Sequence, residues 1–290
     1  MRVLRYIIVV VLAAVAAIAA PTAANAAPTW YSGTIAPGAS GTFTWNNANP
    51  LNVSYEVGLS PMFATMEAPC EFEVMRAWYV QNYPSLERQF KITIKNIGTI
   101  SCGTFIILRE MPTVAGSSWY TPVLKPGITS THTWNNAGSS TAHVPGLVPM
   151  GANATAPCQM EIIRRWDVLH FDEAGGVERE FKFTVANVGA ITCKAAILLG
   201  TATTNSPLQH PYLAPGQVST HTWNNANPVD KVYALGIKPS HTQAGFSCDM
   251  EAQRKWYVQR ADIYGNLERE FWYTIKNVGN LLCGPNALLT

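Results

Sequence analysis

"CEFEVMRAW" occupies residues 70–78, "CQMEIIRRW" residues 158–166 and "CDMEAQRKW" residues 248–256. The three share Cys-x-x-Glu-x-x-Arg-x-Trp, and their surroundings repeat with them. Upstream, Pro37-Gly38, Pro126-Gly127 and Pro215-Gly216 recur at intervals of 89 and 89. Trp45, Trp134 and Trp223 keep the same interval, and each opens a Trp-Asn-Asn-Ala. Downstream stand "ERQFKITIKNIG" (87–98), "EREFKFTVANVG" (178–189) and "EREFWYTIKNVG" (268–279). Each copy closes on "SCGTFIIL", "TCKAAILL" or "LCGPNALL".

A period near 89 is longer than the ~20–50-residue units of solenoids and propeller blades. It suits a small domain repeated in tandem. The copies are placed at 28–110, 118–200 and 208–290. The Pro-, Gly-, Ser- and Thr-bearing stretches Glu110–Thr121 and Thr201–Pro211 read as short linkers.

The local pattern is that of strands. Phe90, Ile92 and Ile94 alternate with Gln89, Lys91, Thr93 and Lys95, a period of two with one apolar face. In the opening stretch the same period aligns Cys70, Phe72, Val74, Arg76, Trp78 and Val80. It leaves Tyr79, Asp167 and Tyr257 on the outward face. No stretch after the first 26 residues carries a helical stripe. Five to seven strands per copy predict an all-β chain of three antiparallel β-sandwich domains.

Six cysteines in an exported chain point to disulfides. The repeat reduces the pairings to one per copy: Cys70–Cys102, Cys158–Cys193 and Cys248–Cys283. The alternative, free or metal-bound thiols, lacks the close C-x₂-C spacing of zinc sites.

The endings "IKNIG", "VANVG" and "IKNVG", with the lead-in Leu213-Ala-Pro-Gly216, resemble bacterial extracellular Ig-like modules of the CARDB and fibronectin type. The likeness covers about half of each copy. It implies an immunoglobulin-like sandwich, used as spacer, adhesion unit or binding domain, and no single activity. The Cys pair and the Arg-x-Trp of every copy depart from it.

Arg2 and Arg5, an apolar run from Tyr6 to Ala20 and the small-x-small Ala24-Asn25-Ala26 are laid out as a secretory signal peptide, residues 1–26. An apolar run of that length is short of the ~20 residues that span a bilayer. Its Ala-rich composition suggests a bacterial source. Removing Arg2 and Arg5 from 20 basic residues equals the 18 acidic ones, and no basic cluster exceeds a pair. The footprint of a nucleic-acid binder is missing, and no transmembrane segment is expected after signal cleavage.

Each copy carries a Glu/Arg/Trp set: Glu73, Arg76, Trp78; Glu161, Arg164, Trp166; Glu251, Arg254, Trp256. With Glu87-Arg88, Glu178-Arg179 and Glu268-Arg269 they offer paired carboxylates for acid–base chemistry. The structural reading is preferred: ion pairs across a hairpin and Arg stacked on Trp. Catalytic residues are therefore expected to be none. Phe43 stands where the other copies have His132 and His221, and no histidine spacing suits a metal. Neither metal nor cofactor is expected.

Trp-Asn-Asn has two readings. As a sugar platform, Trp45, Trp134 and Trp223 cover C–H faces while Asn46, Asn47, Asn135, Asn136, Asn224 and Asn225 meet hydroxyls. As structure, the Trp fills the core and the Asn pair turns the chain. The turn leaves the amides nearest to solvent, so they are the preferred ligand contacts.

The expectation is a secreted, non-catalytic binding or adhesion protein that recognises a polysaccharide or cell-surface component. An extracellular structural protein that associates with itself is second, and a glycoside hydrolase third.

Overall fold

The computed structural model describes residues 29–46, 48, 52–114, 119–204, 206–224, 226 and 231–290. The segment read as a signal peptide, Asn47 and Asn225 lie outside the described residues. Every described element is a strand, six to a copy. The first copy holds β1 (Thr29–Ile35), β2 (Ser40–Trp45), β3 (Val53–Met62), β4 (Cys70–Gln81), β5 (Arg88–Asn96) and β6 (Cys102–Pro112). The second holds β7 (Trp119–Tyr120), β8 (Thr129–Asn135), β9 (Thr141–Met150), β10 (Cys158–Phe171), β11 (Val177–Asn187) and β12 (Lys194–Thr203). The third holds β13 (Leu208–Gln209), β14 (Val218–Trp223), β15 (Leu235–Pro239), β16 (Cys248–Ala261), β17 (Leu267–Asn277) and β18 (Pro285–Leu289).

Three antiparallel sheets belong to single copies: β1-β6-β3, β7-β12-β9 and β13-β18-β15. The remaining nine strands form one sheet shared by all three. The architecture is all-β and β-sandwich-like. In each copy a disulfide ties the shared sheet to the private one: Cys70–Cys102, Cys158–Cys193 and Cys248–Cys283.

The sequence motifs explain the frame. Phe90, Ile92 and Ile94 of β5 are buried while Lys91, Thr93 and Lys95 between them are not, as the period of two requires. Each buried aliphatic or aromatic side chain stabilises by ~1.5–3 kcal/mol. The Asn of "KNIG" and its copies is fully buried and sews three segments together. Asn96 Nδ2 donates to the carbonyls of Ile35 (2.8 Å) and Ile100 (2.7 Å), and its Oδ1 accepts from the Gly98 amide (3.0 Å). Asn187 and Asn277 repeat this set. Gly38, Gly127 and Gly216 sit at φ +74, +75 and +79, which a side chain would strain. Their amides bond the carbonyls of those same asparagines.

The shared sheet closes on itself. β4, β10 and β16 each pair antiparallel with both of the others. Trp78 faces Glu161, Trp166 faces Glu251 and Trp256 faces Glu73, the same register three times. The copies are therefore related by a pseudo-threefold axis. From this ring β5-β2, β11-β8 and β17-β14 run outward as three arms.

On the inner layer Gly58, Gly146 and Gly236 let neighbouring copies touch. A Cβ there would come within 2.8 Å of Val232, 2.6 Å of Ser54 and 2.9 Å of Ala142 respectively.

One expectation is corrected. Tyr79 and Tyr257 point inward, at 3% and 0% exposure, and Asp167 is buried at 5%. A β-bulge interrupts each ring strand, between Val74 and Arg76, Ile162 and Arg164, and Ala252 and Arg254. The extra residue shifts the alternation by one. Met75, Ile163 and Gln253 are the residues passed over, and all three are exposed.

Candidate functional site

Pairing between copies covers Cys70–Glu73 and Trp78–Gln81 of β4, and lapses over residues 74–77. It lapses likewise over 162–165 of β10 and 252–255 of β16. The three gaps leave an opening on the pseudo-threefold axis. Beneath it lies a cavity of about 710 Å³, lined by the twelve gap residues and, from the inner layer, by Tyr55, Glu56, Val57, Val144, Pro145 and Leu235.

Three ion pairs ring the opening. Arg76 binds Glu161 through Nε (2.9 Å) and Nη2 (2.5 Å). Arg164 binds Glu251 at 3.1 and 3.0 Å, and Arg254 binds Glu73 at 2.8 and 2.6 Å. Each guanidinium also lies over the Trp of its own copy: Trp78 at 4.8 Å, Trp166 at 4.5 Å and Trp256 at 5.3 Å. Hydrogen bonds to the carboxylates raise Arg76 and Arg254 above the ordinary guanidinium value. The sequence reading placed these pairs within a hairpin; they bridge copies instead. In the hairpin register Glu73 faces Lys95 and Arg76 faces Thr93, so the antiparallel partner strand of the next copy supplies the carboxylate.

Two arginines of the second set, Arg88 and Arg179, also cross between copies. Arg88 binds the Leu147 carbonyl of the second copy as well as the Ala48 carbonyl of its own, and Arg179 binds the Pro239 carbonyl of the third at 2.9 Å. Glu178 and Glu180 lie beside His170, with the three ligand atoms within 4.8 Å of one another. Lys182 already holds Glu180 at 2.8 Å. In the third copy Arg260 takes the place of His170 and binds Glu270 at 3.0 Å. This is a charge network of the arm.

The floor of the cavity breaks the threefold pattern. Glu56, Val144 and Ala234 are equivalent, as are Ala77, Arg165 and Lys255. Lys255 Nζ and Arg165 Nη1 both bind the buried Glu56 carboxylate, Arg165 at 3.4 Å. Burial lowers Arg165 and draws the Lys255 ammonium down to about 7. The touching Glu56 carboxylate works against that fall.

A second break lies behind the floor. The first copy places Tyr55 beside Tyr79 and Phe90, and the third places Tyr233 and Tyr257 both against Phe271. The second has His143, Asp167 and Phe181, and Lys238 of the third copy reaches in to bind Asp167. Burial pushes Asp167 up while the Lys238 ammonium pulls it back. Burial, then Lys238, brings His143 down to about 3.

The Trp-Asn-Asn segments lie far out. β2, β8 and β14 are the edge strands of the three arms. Trp45 and Trp134 are partly buried and stack on Trp30 (6.3 Å) and Trp119 (5.9 Å). Leu208 stands in the corresponding place of the third copy, and Trp223 is 37% exposed. Asn46, Asn135, Asn136 and Asn224 are exposed. Asn46 Oδ1 accepts from Gln89 (2.9 Å), Asn224 Oδ1 accepts from Thr222 (3.0 Å), and Asn136 turns the chain at φ +60. His132 and His221 replace Phe43 on the inner side of these strands, each within hydrogen-bond distance of a serine. His221 packs against His210 at 3.7 Å.

The sequence reading missed Glu56, Arg165 and Lys255. Their signal is present: they are unlike residues at equivalent places in a frame that the copies otherwise share.

Among the described residues no helix is long and apolar enough to cross a membrane. No protein-family model, curated protein or solved structure matches the chain.

Proposed function

We propose that this chain is a secreted, non-catalytic binding protein of three immunoglobulin-like β-sandwich repeats that holds an extended extracellular polysaccharide through its three arms. One observation carries the reading. The edge strands expose the same row of hydroxyls and amides three times: Thr42, Thr44, Asn46; Thr131, Thr133, Asn135; and Thr220, Thr222, Asn224. Such a row donates to and accepts from sugar hydroxyls along a strand. Three copies on one rigid sheet add avidity without any new contact. The intra-copy disulfides suit an exported protein.

The test is retention on immobilised cell-wall and plant polysaccharides. Wild type is expected to be held, and Asn46→Ala, Asn135→Ala and Asn224→Ala together to release it. If no polysaccharide holds the wild type, the reading fails. Each edge strand has one described strand partner, β5, β11 or β17, which favours self-association as the second reading. Concentration-dependent growth in light scattering supports that reading, and a monomer at all concentrations excludes it.

A further inference from the structure

The axial floor gathers more positive charge than the fold needs. Ala77 serves the first copy at the place where Arg165 and Lys255 serve the others, so a cation there is no requirement of the ring. Both cations nevertheless converge on one carboxylate, Glu56. Asp167, the other carboxylate acting on Arg165, is held by Lys238. The three rim arginines contribute nothing to the balance, because each is matched by a glutamate. Arg165 and Lys255 thus share a single carboxylate, and whenever Lys255 carries its proton the floor of the cavity holds one positive charge in excess. Such a charge is costly unless matched. The cavity of about 710 Å³ above it, reached between the exposed Met75, Ile163 and Gln253, is within the size range of small-molecule sites.

We infer that the axial cavity binds one small molecule bearing a carboxylate or phosphate group, which Arg165 and Lys255 hold in the face of competition from Glu56. The planar guanidinium offers two parallel N–H donors to such a group, and the ammonium adds a point charge. The polar rim and the apolar Val144, Pro145 and Leu235 then enclose the rest of the ligand. The site exists once per chain, because it lies on the axis, whereas any site on the arms exists three times.

Isothermal titration of the full chain with inorganic phosphate, with glucuronate and with uncharged glucose tests this. At least one of the two anions is expected to bind one per chain, and glucose not at all. Phosphate binding alone identifies a phosphate-bearing ligand, and glucuronate binding alone a carboxylate-bearing one. Lys255→Ala, which copies the first repeat, is expected to weaken the anion at least about tenfold. Glu56→Gln removes the internal competitor and is expected to tighten it about tenfold, an outcome that misfolding cannot imitate. The triple Asn46/Asn135/Asn224→Ala variant is expected to bind the anion unchanged, which separates this site from the arms. Absence of binding by both anions, a stoichiometry of three, or affinities indifferent to Lys255 and Glu56 overturns the assignment.

Discussion

Arg254 and Glu73, 181 residues apart in the chain, are joined by two hydrogen bonds, from Nε at 2.8 Å and Nη2 at 2.6 Å. With the two equivalent pairs they lock the last copy onto the first and close the ring. Contacts from the first copy to the second and from the second to the third are made by neighbours in the chain; this one is not. It follows that the three copies fold against each other as one body.

Arg254→Ala is expected to cost ~1–3 kcal/mol in urea unfolding, because the Glu73 side chain, 10% exposed, loses a charge-assisted partner. The exchange Arg254→Glu with Glu73→Arg is expected to restore part of the loss. A cost near zero in the single variant would show that the ring closes without this pair.

Lys238 and Asp167 form a buried pair between the second and third copies, at 3% and 8% side-chain exposure. Lys238→Met strands the carboxylate, at ~3–5 kcal/mol. Adding Asp167→Tyr places apolar or aromatic residues at both positions, as the first interface already has in Tyr79 and Val148, the equivalents of Asp167 and Lys238 in the neighbouring copies, and most of the loss is expected to return. Chemical denaturation of the single and double variants measures both steps.

Acid is expected to destabilise the fold below neutrality. His143 titrates at about 3 and His210 at about 4 in the folded chain, lowered first by burial, against ~6.5 when unfolded. The folded state refuses protons that the unfolded state accepts at these two histidines, so their contribution to stability falls as the pH drops from about 6.5 toward 4. His143→Phe is expected to reduce the slope across the whole window in thermal melts between pH 4 and 8, leaving the share of His210. An unchanged slope would assign the acid sensitivity elsewhere.

Each disulfide closes a loop of 32 or 35 residues. Replacing Cys70 and Cys102 by Ser is expected to lower stability by ~3–4 kcal/mol. Peptide mapping under non-reducing conditions is expected to recover the three intra-copy pairs and no cross-copy pair.

The Asn of each "N-x-G" turn makes three hydrogen bonds in a fully buried setting. Asn187→Ala is expected to cost ~2–4 kcal/mol, since two carbonyls and an amide lose their partner at once. Asn187→Asp keeps the acceptor but brings in a buried charge, and is expected to be no milder. Thermal melts rank the two.

What the amino-acid order determined by itself is local or repeated. Alternation along β5 set its buried face because side chains in a strand alternate. Cysteine spacing, read against the repeat, set the three disulfides. What only the tertiary structure decided is non-local. One extra residue at Met75 turned Tyr79 from the outward face to the core, and nothing in the residue types announces a bulge. Glu73, Glu161 and Glu251 find their arginines in other copies, because an antiparallel ring places each strand's second half against the next strand's first. Glu56, Arg165 and Lys255 are three unrelated side chains until the axis brings them within reach of one another. Coulomb and hydrogen-bond energies depend on distance in space, and that distance was written by the closure of the ring.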